Sequence, residues 1–138
     1  MDVAIVDIGS NTARLLVASV DATGEVKQLR RERHYLRLGD DVHALGRIGP
    51  EKLAETKKVA RRFARIVRRA GVERLETIVT APGRQAANGD ELVRVLAEET
   101  DAPVVVLTGN DEGRLAWEGA VARMEDPPAV VGVVDLGG

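Results

Sequence analysis

Asp7 is the first residue in this chain with an expensive position. It interrupts a short apolar run (Val3, Ala4, Ile5, Val6, Ile8), at the carboxyl end of what reads as a strand, where a carboxylate needs a cation, a metal or several donors. Gly9, Ser10, Asn11 and Thr12 follow it as a small polar turn, in which successive backbone N–H groups can wrap an anion. An acid beside a phosphate-sized nest suggests a metal-phosphate site. The pattern returns at 133–138, where VVDLGG repeats IVDIGS of 5–10: apolar strand, Asp135, apolar residue, Gly137, small residue. Two such units imply two related lobes facing each other, and ligands favour such interfaces. Two further groups stand out by position. Glu112 falls in the first turn of an expected helix, where the dipole favours a carboxylate, beside Asp111 at capping-box spacing from Thr108. Arg84 lies near a helix start, a poor place for a cation unless an anion sits there.

The elements that must position these groups follow from periodicity and punctuation. Residues 3–20 read as strand, turn, strand; Ala22-Thr23-Gly24 marks a second turn, and 26–38 alternates loosely as a third antiparallel strand. The segment from there to Gly49 reads as a polar loop. Pro50 opens a helix that runs to Gly71, with Leu53, Ala60, Phe63, Val67 and Ala70 at helical spacing. Its opposite face carries Lys57, Lys58, Arg61, Arg62, Arg65, Arg68 and Arg69, which reads as a solvated face, with a track for a long polyanion as the alternative. Residues 76–79 form a strand, Pro82 can start a helical turn, and Asn88 with Glu91 has capping-box register for the next helix. A strand at 104–107 and a helix from Thr108 follow, with Trp117 and Phe63 expected in the core. Asp126-Pro127-Pro128 breaks that helix, and 129–134 reads as a last apolar strand. The order β-β-β-α-β-α-β-α predicts an α/β lobe, a mixed sheet with helices on its faces.

Composition narrows the class. A chain of 138 residues, 44% of them hydrophobic, can fill one core. With 20 basic and 22 acidic residues it has no global pull toward nucleic acid or membrane, so any polyanion site must be local. Cysteine is absent, which removes disulfides and thiolate zinc sites, and aromatics at 2% make a base-stacking platform for nucleic acid improbable. No run reaches the roughly 18 apolar residues of a membrane span, and the first residues lack a signal-like basic region, so the cytoplasm is the default expectation. His34 and His43 have no acidic or histidine partners at ligand spacing. Neither a P-loop nor a dinucleotide fingerprint is present.

DIGSNTARLLV at 7–17 and VVDLGG at 133–138 resemble the two phosphate-binding motifs of the exopolyphosphatase and guanosine pentaphosphate phosphohydrolase (Ppx/GppA) family, a branch of the actin, sugar kinase and heat-shock ATPase superfamily. RLGDDVHALGRIGPEKL at 37–53, TAPGRQAANG at 80–89 and GNDEGRLAWEGA at 109–120 are similar to that family's strand-to-helix segment, active-site arginine loop and catalytic-glutamate segment. Pro82 and Gly83 depart from the residues expected in the arginine loop.

The resemblance implies a ribonuclease H-like, actin-like lobe over residues 1–125, with 126–138 as linker and first strand of a second lobe, so that the chain is a fragment inactive alone. It implies hydrolysis of terminal phosphate from inorganic polyphosphate or guanosine pentaphosphate, with Glu112 holding the attacking water and Arg84 clamping the terminal phosphate. Asp7 and Asp135 would hold Mg²⁺ (or Mn²⁺), and Gly9, Ser10, Asn11, Thr12, Gly137 and Gly138 would cradle phosphates. A kinase or ATPase of the same superfamily and a non-catalytic phosphate-binding module are the rival readings. Lacking its lobe, strand 129–134 would have open edges and pair with a second copy, giving a homodimer, or fold back.

Overall fold

Period-two alternation sets the centre of the molecule. In the computed structural model, which describes residues 1–134, Ala4, Val6 and Ile8 of β1 (Asp2–Ile8) are buried on one face, while Val3, Ile5 and Asp7 stand on the other. β2 (Thr12–Val20) pairs antiparallel with β1 and buries Ala13, Leu15 and Val17 on the same side. β3 (Val26–Tyr35) continues the meander as an edge strand, with a register shift opposite Val17 and Ala18. Two parallel strands, β4 (Arg74–Val79) and β5 (Val104–Val106), complete a mixed sheet of order β3-β2-β1-β4-β5.

The segment expected as a polar loop after β3 holds a helix, α1 (Leu38–Leu45). Leu38 is fully buried and Val42 packs against the core one turn on, Asp40 and Asp41 occupy the first turn, and Gly46 ends the helix with φ 67°. α2 (Pro50–Ala70) matches its expected bounds, from Pro50 at its first position to Gly71 in the left-handed conformation. It buries Leu53, Thr56, Val59, Ala60, Phe63, Ala64 and Val67 in the core that α4 (Gly89–Thr100) closes with Leu92 and Leu96. Ala70, counted in the apolar stripe, is exposed. A large apolar side chain in that core contributes roughly 1.5–3 kcal/mol.

α3 (Ala81–Gln85) is a single turn after β4, seated where only glycine fits twice. A Cβ on Gly83 would stand 2.9 Å from Val79 Cγ1, and one on Gly89 would stand 2.2 Å from the Gly83 carbonyl oxygen. The turn carrying Arg84 is thus pinned between the sheet and the start of α4. Asn88 precedes α4, but its side chain does not cap that helix. Instead its Oδ1 accepts from Ile48 N (2.8 Å), and its Nδ2 donates to Ile48 O (3.0 Å) and Glu91 Oε2 (3.1 Å). The expected cap is a tie between segments 40 residues apart.

α5 (Gly109–Val121) has no buried residue. Trp117, expected in the core, is 45% exposed, whereas Phe63 is fully buried as expected. The helix ends at Val121, before the Asp126-Pro127-Pro128 breaker. Residues 129–134 form no strand, a correction to the expected final one: neither sheet edge, β3 or β5, pairs with them, and a strand is defined by such pairing. Asp135, Gly137 and Gly138 lie outside the described residues.

Candidate active site

One open cleft of about 670 Å³ lies at the carboxyl end of β1 and β4 and is lined by Asp7, the 9–12 turn, Arg14, Arg33, Tyr35, Thr80, Ala81, Gln85, Glu112 and Gly113. The turn on its floor is fastened from outside. Gly9 N donates to Thr12 O (2.9 Å), Ser10 O accepts from Gly39 N (2.8 Å), and Asn11 O accepts from Leu36 N (2.9 Å) and Arg37 N (3.0 Å). Its carbonyls are therefore committed to the β3–α1 junction. Among the described residues, the Ser10 and Asn11 amides donate no hydrogen bond, which leaves two adjacent backbone donors for an anion. Thr80 closes the turn from β4, its amide donating to Ile8 O (3.1 Å).

Asp7 belongs to the sheet face opposite the core, so its carboxylate is half-buried rather than enclosed in a strand buried on both sides. It lines the cleft together with Glu112. Glu112 is carried by α5 in the position expected. Thr108 caps that helix: its hydroxyl accepts from Asp111 N (3.1 Å) and donates to Asp111 Oδ2 (2.6 Å), and its amide donates to the same oxygen (3.2 Å). Asp111 thus has the structural role expected of it. The Thr108 hydroxyl, and next its amide, hold the Asp111 carboxyl below the ordinary aspartate range.

Arg84 meets Glu112 directly. Its Nη2 donates to Glu112 Oε2 (2.6 Å), its Nη1 donates to the Leu107 carbonyl, and the two side chains are 30% and 29% exposed. The two residues assigned chemistry from the sequence, 28 positions apart, therefore form one ion pair at the cleft. Arg84 itself stands behind Glu112 rather than on the cleft wall. In this arrangement the carboxylate is paired with a guanidinium, and a terminal phosphate entering the cleft would compete with it for the same donor.

Sequence reasoning missed Arg14, Arg33, Tyr35, Thr80 and Gln85. Arg14 could have been found by counting, because a hairpin about the 9–12 turn places it directly opposite Asp7. Arg33 required the β2–β3 register, which a bulge displaces. His34, which has no acidic partner at ligand spacing in the sequence, lies 3.0 Å from Glu55 of α2 through Nε2, a contact between residues 21 positions apart, and no group of three or more potential metal ligands occurs among the described residues. The basic face of α2 is partly engaged by protein. Arg61 forms a fork with Glu99 (2.7 and 2.9 Å), Lys57 stands 3.4 Å from it, and Arg62 donates to Glu32 (2.6 Å). The Arg61 hydrogen bond is the main cause holding Glu99 below the usual carboxylate range.

Comparison with known proteins gives the arrangement its relatives. The chain is 35% identical to exopolyphosphatase 2 of Mycobacterium tuberculosis in an alignment 144 positions long that covers 99% of this chain and 45% of that protein. It superimposes on the Aquifex aeolicus member of the Ppx/GppA protein family with a TM-score of 0.83 and 28% identity, over 91% of this chain and 41% of that one. An exopolyphosphatase from Cytophaga hutchinsonii, 23% identical, shares the fold with a TM-score of 0.82 over 91% of this chain and 41% of that one. The chain thus spans less than half the length of these relatives. The shared architecture is the actin-like ATPase fold, of which this sheet and its helices are one lobe. The Ppx/GppA phosphatase family model matches residues 16–138. From the fold, the cleft and these matches together, the chain belongs to the Ppx/GppA phosphatase family.

Proposed function

We propose that this chain is the first lobe, residues 1–125, and the start of the second, 126–138, of a phosphoanhydride hydrolase that releases terminal phosphate from inorganic polyphosphate or guanosine pentaphosphate. The observation that carries this reading is the Glu112–Arg84 pair beside a cleft floored by the 9–12 turn. Phosphoryl transfer asks for positioning, charge neutralisation and a held water, with little covalent work for the protein. The Ser10 and Asn11 amides hold the terminal phosphoryl oxygens. Glu112 accepts a hydrogen bond from the attacking water and takes its proton as the bond to phosphorus forms, while the bond from phosphorus to the bridging oxygen breaks and the shortened substrate leaves with that electron pair on its terminal oxygen. Arg84, released from the carboxylate by the phosphate, holds the charge that develops on the equatorial oxygens.

The donors on the cleft wall suit magnesium, which is bound by one or two carboxylates together with substrate phosphates. Asp7, beside the turn, is the residue of this lobe that would hold it; Asp135, with Gly137 and Gly138, would complete the site from the second lobe. Bound there, the ion would neutralise charge on the bridging and terminal oxygens. In the whole protein, Glu112→Gln should lower the rate of phosphate release from polyphosphate by about 10²–10⁴-fold, the usual worth of a positioned base, with substrate binding retained. A variant with the parent rate would remove Glu112 from the mechanism. Residues 1–138 alone should show no turnover, because half the cleft belongs to the second lobe.

A further inference from the structure

The sheet register builds a row of charges across the cleft. Asp7 of β1 stands opposite Arg14 of β2, and Arg14 stands opposite Arg33 of β3. Directly opposed residues share a sheet face, and all three line the cleft. Two arginines opposed in this way repel, and the row holds two cations to one carboxylate. Among the described residues neither arginine has a carboxylate partner at ion-pair distance. The Arg33 guanidinium instead lies 5.3 Å from the centroid of the Tyr35 ring, and Tyr35 is itself opposite Thr12 of the phosphate turn. Stacking restricts the arginine while leaving its edge donors for an incoming anion. From Asp7 to Arg33 the row crosses two interstrand gaps, roughly 10 Å. The cationic end therefore stands well beyond the group held by the turn.

We propose that Arg33, backed by Tyr35 and opposed by Arg14, forms a second anion subsite that takes the phosphoryl groups of the substrate chain beyond the terminal one, and so favours longer phosphoanhydrides over short ones. The proposal rests on the reading of the cleft as a phosphoanhydride site. A flexible chain of phosphoryl groups joined through bridging oxygens, each with two non-bridging oxygens sharing a negative charge, suits two planar forks side by side, each able to take two oxygens. The cost of opposing the arginines is then offset when the anion lies between them.

Calorimetric titration of the chain with orthophosphate and with tripolyphosphate, both with magnesium, tests this. Arg33→Ala should weaken tripolyphosphate binding by roughly tenfold or more, the loss of a charge-assisted contact, and leave orthophosphate binding unchanged. Arg94→Ala, which removes the same charge from the outer face of α4, should alter neither. An Arg33→Ala chain that binds tripolyphosphate like the parent, or loses affinity for both anions equally, overturns the subsite alone. A parent chain that binds neither anion overturns the cleft reading and the subsite with it.

Discussion

The two sides of the cleft are built in opposite ways. The 9–12 turn stands between β1 and β2, which bury seven residues between them, and its carbonyls are tied to Leu36, Arg37 and Gly39. Glu112 stands on a helix with no buried residue, held by the Thr108–Asp111 box at its start and by Arg84 behind it. The turn proposed to grip phosphate is therefore preorganised by the core, whereas the residue proposed for the chemistry depends on a few polar contacts. Loosely held elements open at low free energy, which suits the exchange of a protein partner for a substrate proposed at this pair.

That contrast can be broken from either side. The largest stability effect is expected at Gly89, where a methyl group would collide with the Gly83 carbonyl. Gly89→Ala should cost about 3 kcal/mol or more in urea denaturation, since the obstacle is backbone and α3 must shift with Arg84. A cost below about 1 kcal/mol would show that α3 is not pinned. A smaller effect is expected on the other side. Thr108→Ala should cost about 1 kcal/mol and fray α5, read as faster amide exchange over its first turn, with the β1–β2 hairpin unchanged. Protection of the α5 amides equal to the parent would contradict the dependence on that cap.

The cap also gives α5 a pH dependence of definite sign. Asp111 has a lowered pKa in the folded chain, so its contribution is complete above the ordinary value of 3.8 and fades as pH falls through the lowered one. Fraying of α5 should therefore begin only below the ordinary aspartate range, and Thr108→Ala should abolish the effect.

Much of this was legible where a local rule and the tertiary structure agree. The hairpin about the 9–12 turn, the Pro50 start and Gly71 end of α2, and the Thr108–Asp111 box all depend on neighbours in sequence. α1 escaped because glycine, aspartate and histidine mask the Leu38 and Val42 spacing that binds it to the core. Asn88 misled because a better partner for its amide lies 40 residues away, and Trp117 because an apolar residue on a helix face does not by itself say that another element covers it. Arg33 depended on strand register, and no residue near it announces its pairing with Arg14. The ion pair of Arg84 with Glu112 joins two segments that the family resemblance marked separately.

The division between a gripping side and a reacting side is tested most directly by following the backbone amides of the chain as tripolyphosphate is added, in the parent and in Glu112→Gln. The account predicts that the Ser10, Asn11 and Thr12 amides shift in both, with affinity in the variant equal to the parent or tighter, since one carboxylate charge has been removed from the cleft. Shifts confined to other parts of the molecule, or binding lost with the Glu112 carboxylate, would contradict it.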